Sequence, residues 1–421
     1  MRGWAVFDRG ATLPALLLAL AGAPLAAQQA PARPHVATSY AITIVTSDTG
    51  AYLLGEVETG WRLQSVNPVA MELDSTMRVV RVLVDGKPNT RLSRTMYSRD
   101  SAQVVVPHEK APGDTLTTRV RYHGYPAGGF RVGPDRTGAR ALAGTTAGGV
   151  ARSWLTVPAG GAGRPTVTWN VQASAGQRVV ANGVLTGIDT LNYGHTTWHY
   201  RLDAPVPLDA LAVAAGRYAV TTLPHPGCRT GCVPVTLWTT PEDSAAAAAG
   251  AFRRAAEMLD WLTGLVGPFP YPSLAHVSSI LSPSGRAGAS VVLYDEGRVH
   301  GGDVDEREVA RATAAQWFGN AVSETGIESR RPSQAVAAYL AALWTRRAGG
   351  KGSTDTPPGE VASIERLHRL VGDSTFFAGL RRYVEAHRNT AVAPEELARA
   401  MSAAAGRPLD WSFETAAGSG R

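Results

Sequence analysis

The side chains able to do chemistry in this chain fall into a few groups, and spacing decides what each could do. Two cysteines share one segment, Pro224-His225-Pro226-Gly227-Cys228-Arg229-Thr230-Gly231-Cys232. In an oxidising compartment Cys228 and Cys232 are expected to close a local disulfide across a Gly-rich loop. With His225 they also form a three-ligand metal set, one short of a tetrahedral structural site. His300 stands near Asp303, Asp305 and Glu306, but Gly301-Gly302 intervenes, and acids at this spacing read as a helix start. The His-Glu pair His108-Glu109 runs into Lys110-Ala111-Pro112 and lacks a second His one helical turn on. Gly285 and Ser290 do not frame a nucleophile elbow. Helical spacing puts Arg311 and Ala315 on one face. Arg311 has two readings: it pairs with a nearby acid such as Glu308, or it recruits a carboxylate such as a peptide C-terminus. Trp317 and Phe318 continue an apolar helical stripe and read as core.

Composition bounds the elements that must hold these groups. The chain has 421 residues, room for two domains or three small ones. Its net charge of +6 comes almost wholly from Arg, with Lys only at positions 87, 110 and 351. No basic block or aromatic-interleaved basic stripe occurs, so nucleic acid is not an expected partner. At the N-terminus Arg2 and Arg9 precede an apolar run from Ala11 to Leu25, and Leu25-Ala26-Ala27 offers small residues for cleavage. Residues 1–27 read as a secretory signal peptide and 28–39 as a linker. No Cys lies near the cleavage point, so a lipid anchor is not expected. No later stretch approaches 18 unbroken apolar residues, so no membrane span is expected after cleavage. The expected location is periplasmic or secreted.

Two textures follow. Residues 40–220 read as strands: Ala41–Val45, Met77–Val84 with the turn pair Asp85-Gly86, Gln103–Val106, Thr115–Tyr122, Thr166–Gln172 and Thr197–Leu202. This is an all-β, sandwich-like domain, in which Gly128–Gly149 reads as an irregular loop. Residues 221–421 read as mainly helical. Thr240-Pro241-Glu242-Asp243 opens a first helix that ends at Gly267-Pro268. Others are expected over Asp305–Phe318, Ser333–Arg347, a stretch marked by Phe376 to His387, and Pro394–Ala405. A strand is expected at Ser290–Tyr294. The expected class is therefore α+β and multidomain.

Several motifs carry a resemblance. Gln316-Trp317-Phe318-Gly319-Asn320 resembles the run that follows His-Glu-x-x-His in the zinc aminopeptidases of the alanyl-aminopeptidase (gluzincin) family, which includes leukotriene hydrolase. Ala181-Asn182-Gly183, Leu211–Tyr218, Gly267–Pro272, Gly372-Asp373, Phe376, Leu380-Arg381, Tyr383 and Glu395-Glu396-Leu397 are similar to its other pieces, in order. The resemblance covers roughly residues 40 to 415. It implies an N-terminal β domain and a thermolysin-like domain, here shortened, without the family's large C-terminal helical domain.

The resemblance also implies a zinc site, and this chain departs from it at every ligand. In the family two His at i and i+4 and a Glu on the next helix bind zinc, and the Glu after the first His is the general base. The matching positions here are Arg311 and Ala315 for the two His, Ala312 for the base and Gln334 for the third ligand. Ala287 stands nearest to the Glu that holds the substrate's amine, and Thr356-Pro357-Pro358-Gly359 offers no catalytic Tyr. Arg cannot ligate zinc and Gln does so poorly. The expectation is a pseudopeptidase with no bound cofactor and no catalytic residue. It would bind a peptide or envelope protein, with Arg311 and Gln334 as contacts. An active hydrolase with an atypical site and a structural accessory of the envelope are the alternatives.

Overall fold

The computed structural model describes residues 35–46, 50–88, 94–161, 163–226, 230–281, 286–325, 331–349 and 359–411. The expected signal peptide, Cys228, Gly285 and Thr356-Pro357-Pro358 lie outside the described residues. Among those described, no helix is long and apolar enough to cross a membrane.

The N-terminal part is all β. Its β-branched strand Val36–Thr46 sits inside an eight-stranded sheet, antiparallel to Leu53–Arg62 and parallel to Gly163–Ala173. Asp85 and Gly86 both take positive φ (47° and 75°), as a tight hairpin turn requires, and join Met77–Val84 to Lys87–Pro88. One four-stranded sheet pairs Val157–Pro158, Val69–Leu73, Ala102–Val106 and Arg94–Tyr97 in that order. Alternate residues of these strands point inward, and Tyr40, Trp61, Trp154 and Trp169 fill the shared core.

A second four-stranded sheet corrects the loop expected over Gly128–Gly149. Phe130–Pro134 and Arg140–Thr145 are strands, paired with each other and, through Ala212–Gly216, with Arg178–Ala181. Gly144 is there because of crowding: a Cβ on it would come within 2.7 Å of the Phe130 ring. This sheet is buried on both faces. Leu142, Val179, Val213 and Ala215 face the β core, while Ala141, Ala143, Val180, Ala212 and Ala214 pack on Ala275, Val277, Val291 and Leu293 of the next part. Small residues in a two-sided sheet mask the alternation that marks a strand in sequence.

The second part is mainly helical but is built on a five-stranded sheet of Ala219–Thr222, Val235–Thr239, Leu274–Ser279, Val291–Asp295 and Arg286–Ala287. The sequence announces only the strand near Tyr294. Leu274–Ser279 is buried at every position and runs parallel to both neighbours, so it shows no alternation either. The helices are α1 (Ser244–Ala249), α2 (Ala255–Val266), α3 (Glu296–Gly301), α4 (Glu306–Ala314), α5 (Arg331–Arg347), α6 (Gly359–His387) and α7 (Glu396–Ala405). The single helix expected from Thr240 to Val266 is broken at Gly250, whose non-helical backbone ends α1. α6 is bent at Gly372, with φ at 77°; its second segment is the expected one, and its first was not anticipated.

Candidate functional site

α4 and α5 carry the positions that matter. Asp305 caps α4 by accepting from the Glu308 backbone N–H, and Glu306 and Glu308 complement the helix dipole. The acids near His300 are thus helix-start residues, as expected. Glu308 does not pair with Arg311. Its carboxylate is held in two hydrogen bonds by Arg298, at 3.0 and 2.8 Å. Arg298 is the better partner because two parallel N–H···O bonds satisfy both oxygens. Arg311 is exposed, and among the described residues its side chain makes no hydrogen bond or ion pair. On the same face Ala315 is half-buried, while Ala312 is fully buried. Gln334 is exposed on α5 between the buried residues Ser333 and Ala335.

The segment after α4 is of another kind. Gln316 is completely buried, and its amide is fully used. Its Oε1 accepts from the Ser290 N–H at 2.8 Å, while Nε2 donates to the carbonyls of Gly288 (3.0 Å) and Ala312 (3.3 Å). Asn320 donates to the Ala287 carbonyl at 3.2 Å. Trp317 donates to the carbonyls of Gly267 and Pro268 and meets Phe269 edge to face. Phe318 stacks on Tyr383 at 6.5 Å between ring centres, so both aromatics are core, as expected. From the β part, Asn182 donates to the carbonyls of Ala210 and Ala289 and accepts from Ala212 N–H, and Ser290 Oγ accepts from Gly183 N–H. Loop 287–290 is therefore fastened from both sides by buried polar groups that would be costly to leave unpaired.

His300, His225 and His276 have partners outside these positions. His300 Nδ1 lies 2.8 Å from Asp243, and Arg136 from the β part contacts both. His225 Nδ1 lies 3.1 Å from Asp260. His108 packs edge to face on His35. His276 is fully buried beside Tyr294 and Phe252, and burial pushes its imidazole down to about 3. Among the described residues, no three His, Cys, Asp or Glu side chains gather where they could hold a metal ion. The donor set at the positions the resemblance assigns to zinc is a guanidinium, a methyl group and an amide, which does not fit the metal.

Two functional-looking residues were not read from the sequence. Arg164, at the edge of the β part, donates to Ser323 Oγ and to the carbonyls of Asn320, Ala321 and Pro205, and so straps the two parts together. Glu324 is a carboxyl only 2% exposed at the end of strand Val322–Glu324. Both are single charged residues in ordinary stretches, with no spacing signal to mark them.

This arrangement has counterparts among solved structures. The crystal structure of an M1 zinc metallopeptidase from Deinococcus radiodurans superposes with a TM-score of 0.73 at 20% identity, over 88% of this chain and 91% of that one. A mutant of that enzyme superposes at 0.72, over 91% and 96%. A two-domain mutant bound to L-tryptophan superposes at 0.71, over 91% and 97%, both again at 20% identity. The fold is that of the M1 zinc metallopeptidases. No protein-family model and no curated relative matches the chain.

Proposed function

We propose that this chain is an exported, aminopeptidase-like pseudopeptidase that binds a peptide or envelope protein and does not cleave it. The observation that carries the reading is Arg311, an exposed guanidinium without a hydrogen bond or ion pair among the described residues. It stands where the resemblance places a zinc ligand, one residue before the buried Ala312. A guanidinium in an M1-type fold repels a metal ion and attracts a carboxylate. Gln334, exposed on the neighbouring helix, adds amide donors and acceptors of the kind that read a peptide backbone. Without a carboxylate at position 312 no general base activates water there. Export follows from the N-terminal segment, and with it the Cys228–Cys232 disulfide.

The test is zinc per chain in the mature protein, purified without chelators or added metal, together with hydrolysis of amino-acid amides. The expected result is near-zero zinc and no turnover above a heat-treated control. About one zinc per chain with turnover would establish the alternative, an active metallopeptidase with an atypical site.

A further inference from the structure

We propose that the outer face of the β part, around the edge strand Met77–Val84, docks the protein on an anionic lipid surface. Four neighbouring strands build this face. Leu54 of strand Leu53–Arg62 lies opposite His123 of strand Thr115–Gly124, and His123 lies opposite Arg78. Cross-strand partners share a face of the sheet, so the three side chains form one row. The Arg78 guanidinium sits 4.9 Å over the Tyr97 ring, and the Tyr97 hydroxyl accepts from the Val79 N–H at 2.9 Å. Those contacts bring strand Arg94–Tyr97 to the edge of Met77–Val84. Tyr52 is hydrogen-bonded to His123 and meets Tyr125 edge to face, with 5.4 Å between ring centres.

Apolar exposure and charge together decide the partner. Tyr125 is 63% exposed, Val80 60% and Met96 52%. Val80 is the extra residue of a bulge between Val79 and Arg81, on an edge that Lys87–Pro88 covers only at Leu83 and Val84. Charged side chains commonly blunt such an edge, and here the bulge presents an aliphatic one. Single exposed apolar residues are ordinary, whereas a connected group marks a contact surface. Arg78, Arg81 and Arg94 are exposed, and none forms an ion pair among the described residues. In the turn that follows Tyr97, Arg99 and Asp100 cancel. The neighbouring arginines Arg119 and Arg121 are already neutralised by Glu58 and Glu56. The depression beside Arg81 holds about 100 Å³, well below a ligand pocket, so the surface is a face and not a groove. Unpaired arginines call for an anionic partner. Tyrosine rings and aliphatic tips beside them suit the headgroup boundary of a bilayer, where apolar burial and attraction to anionic lipids add. This face lies in the β part and does not rest on the reading of Arg311.

The experiment sediments the mature chain, residues 28–421, with vesicles of equal parts phosphatidylglycerol and phosphatidylcholine, and with phosphatidylcholine alone. Leaving out residues 1–27 keeps the apolar N-terminal run from contributing. The expected result is binding to the anionic vesicles that falls about tenfold or more in about 0.5 M salt, with little binding to the neutral ones. Arg78→Gln, Arg81→Gln and Arg94→Gln together should weaken it about a hundredfold, about fivefold for each arginine. Arg369→Gln, Arg382→Gln and Arg407→Gln make the same charge change at exposed positions of the second part and should weaken it far less. Val80→Ser with Met96→Ser keeps the charge and should weaken binding about tenfold. All these positions are exposed, so the variants should fold. Absence of binding to the anionic vesicles, or an equal loss in the two arginine triples, overturns the proposal. Unchanged binding of the Val80→Ser, Met96→Ser variant also overturns it and assigns the face to a soluble polyanion. The zinc and hydrolysis measurements stand apart from each of these results.

Discussion

The largely buried segment Gln316–Asn320 and the exposed positions Arg311 and Gln334 answer to different constraints. Gln316 and Trp317 are fully buried, and every polar atom of the Gln316 amide has a backbone partner. Replacing either would orphan buried carbonyls or leave a cavity. Arg311 and Gln334 are exposed, touch no partner through hydrogen bonds among the described residues, and tolerate many side chains. Scaffold and chemistry are thus separable here. The residues that hold loop 287–290 are fixed by burial and hydrogen bonding, whereas Arg311 and Gln334 are not.

The sharpest way to break this comparison is to install zinc ligands at the positions the resemblance assigns to them. If the scaffold alone preserves the geometry, Arg311→His, Ala315→His and Gln334→Glu together should bind about one zinc per chain. Arg311 and Gln334 are exposed and Ala315 is only half-buried, so the substitutions should not unfold the protein. Ala312 is left alone because it is fully buried and a carboxylate there would be desolvated. The triple variant should therefore bind metal without hydrolysing amides. A folded triple variant that binds no zinc would mean that α4 and α5 no longer hold the register of a metal site.

The next largest effect is on the scaffold side. Trp317→Ala removes a fully buried indole and its hydrogen bonds to Gly267 and Pro268. It should cost about 3–5 kcal/mol in denaturant unfolding. A loss below about 1 kcal/mol would show that the segment is not the fastener described here.

What could be read from the chain follows the same division. The Gln316–Asn320 run, α4, α5 and α7 were legible because helical periodicity and a dense motif survive in one sequence. The hairpin at Asp85-Gly86 was legible because its turn demands those residue types. The strands at Phe130–Pro134, Arg140–Thr145 and Leu274–Ser279 were hidden, since burial on both faces erases alternation. The break at Gly250 was hidden because an alanine-rich stretch gives no sign of where a helix must turn. Of the readings open for Arg311, pairing with Glu308 three residues away fails because Arg298 reaches that acid from another helix. Glu324 was not found at all: its burial is a tertiary fact.

A smaller effect comes from the core of the second part. His276 is buried as the neutral imidazole, pushed down to about 3, while in the unfolded chain it titrates near 6.5. Between those values the unfolded state binds a proton that the folded state does not. Stability is therefore fully present above about pH 6.5 and is lost as pH falls toward 3, by up to about 1.4 kcal/mol per unit. His276→Leu should flatten that slope in denaturant titrations from pH 7 to pH 4. An unchanged slope would assign the acid sensitivity to other groups.

The smallest stability effect should be at Arg311, and that is its diagnostic value. An exposed side chain with no hydrogen bond or ion pair among the described residues has little to lose, so Arg311→Ala should change unfolding by no more than about 0.5 kcal/mol. If Arg311 serves a ligand, the same change should weaken capture of peptides with a free C-terminal carboxylate by about 1.5–3 kcal/mol, the range for a hydrogen bond to a charged group. C-terminally amidated versions of those peptides should bind the parent and the variant alike. A residue retained for folding would show the reverse pattern, a stability loss with no distinction between carboxylate and amide. The pairing of a negligible stability change with a carboxylate-specific binding loss is the one result that a merely tolerated arginine cannot produce.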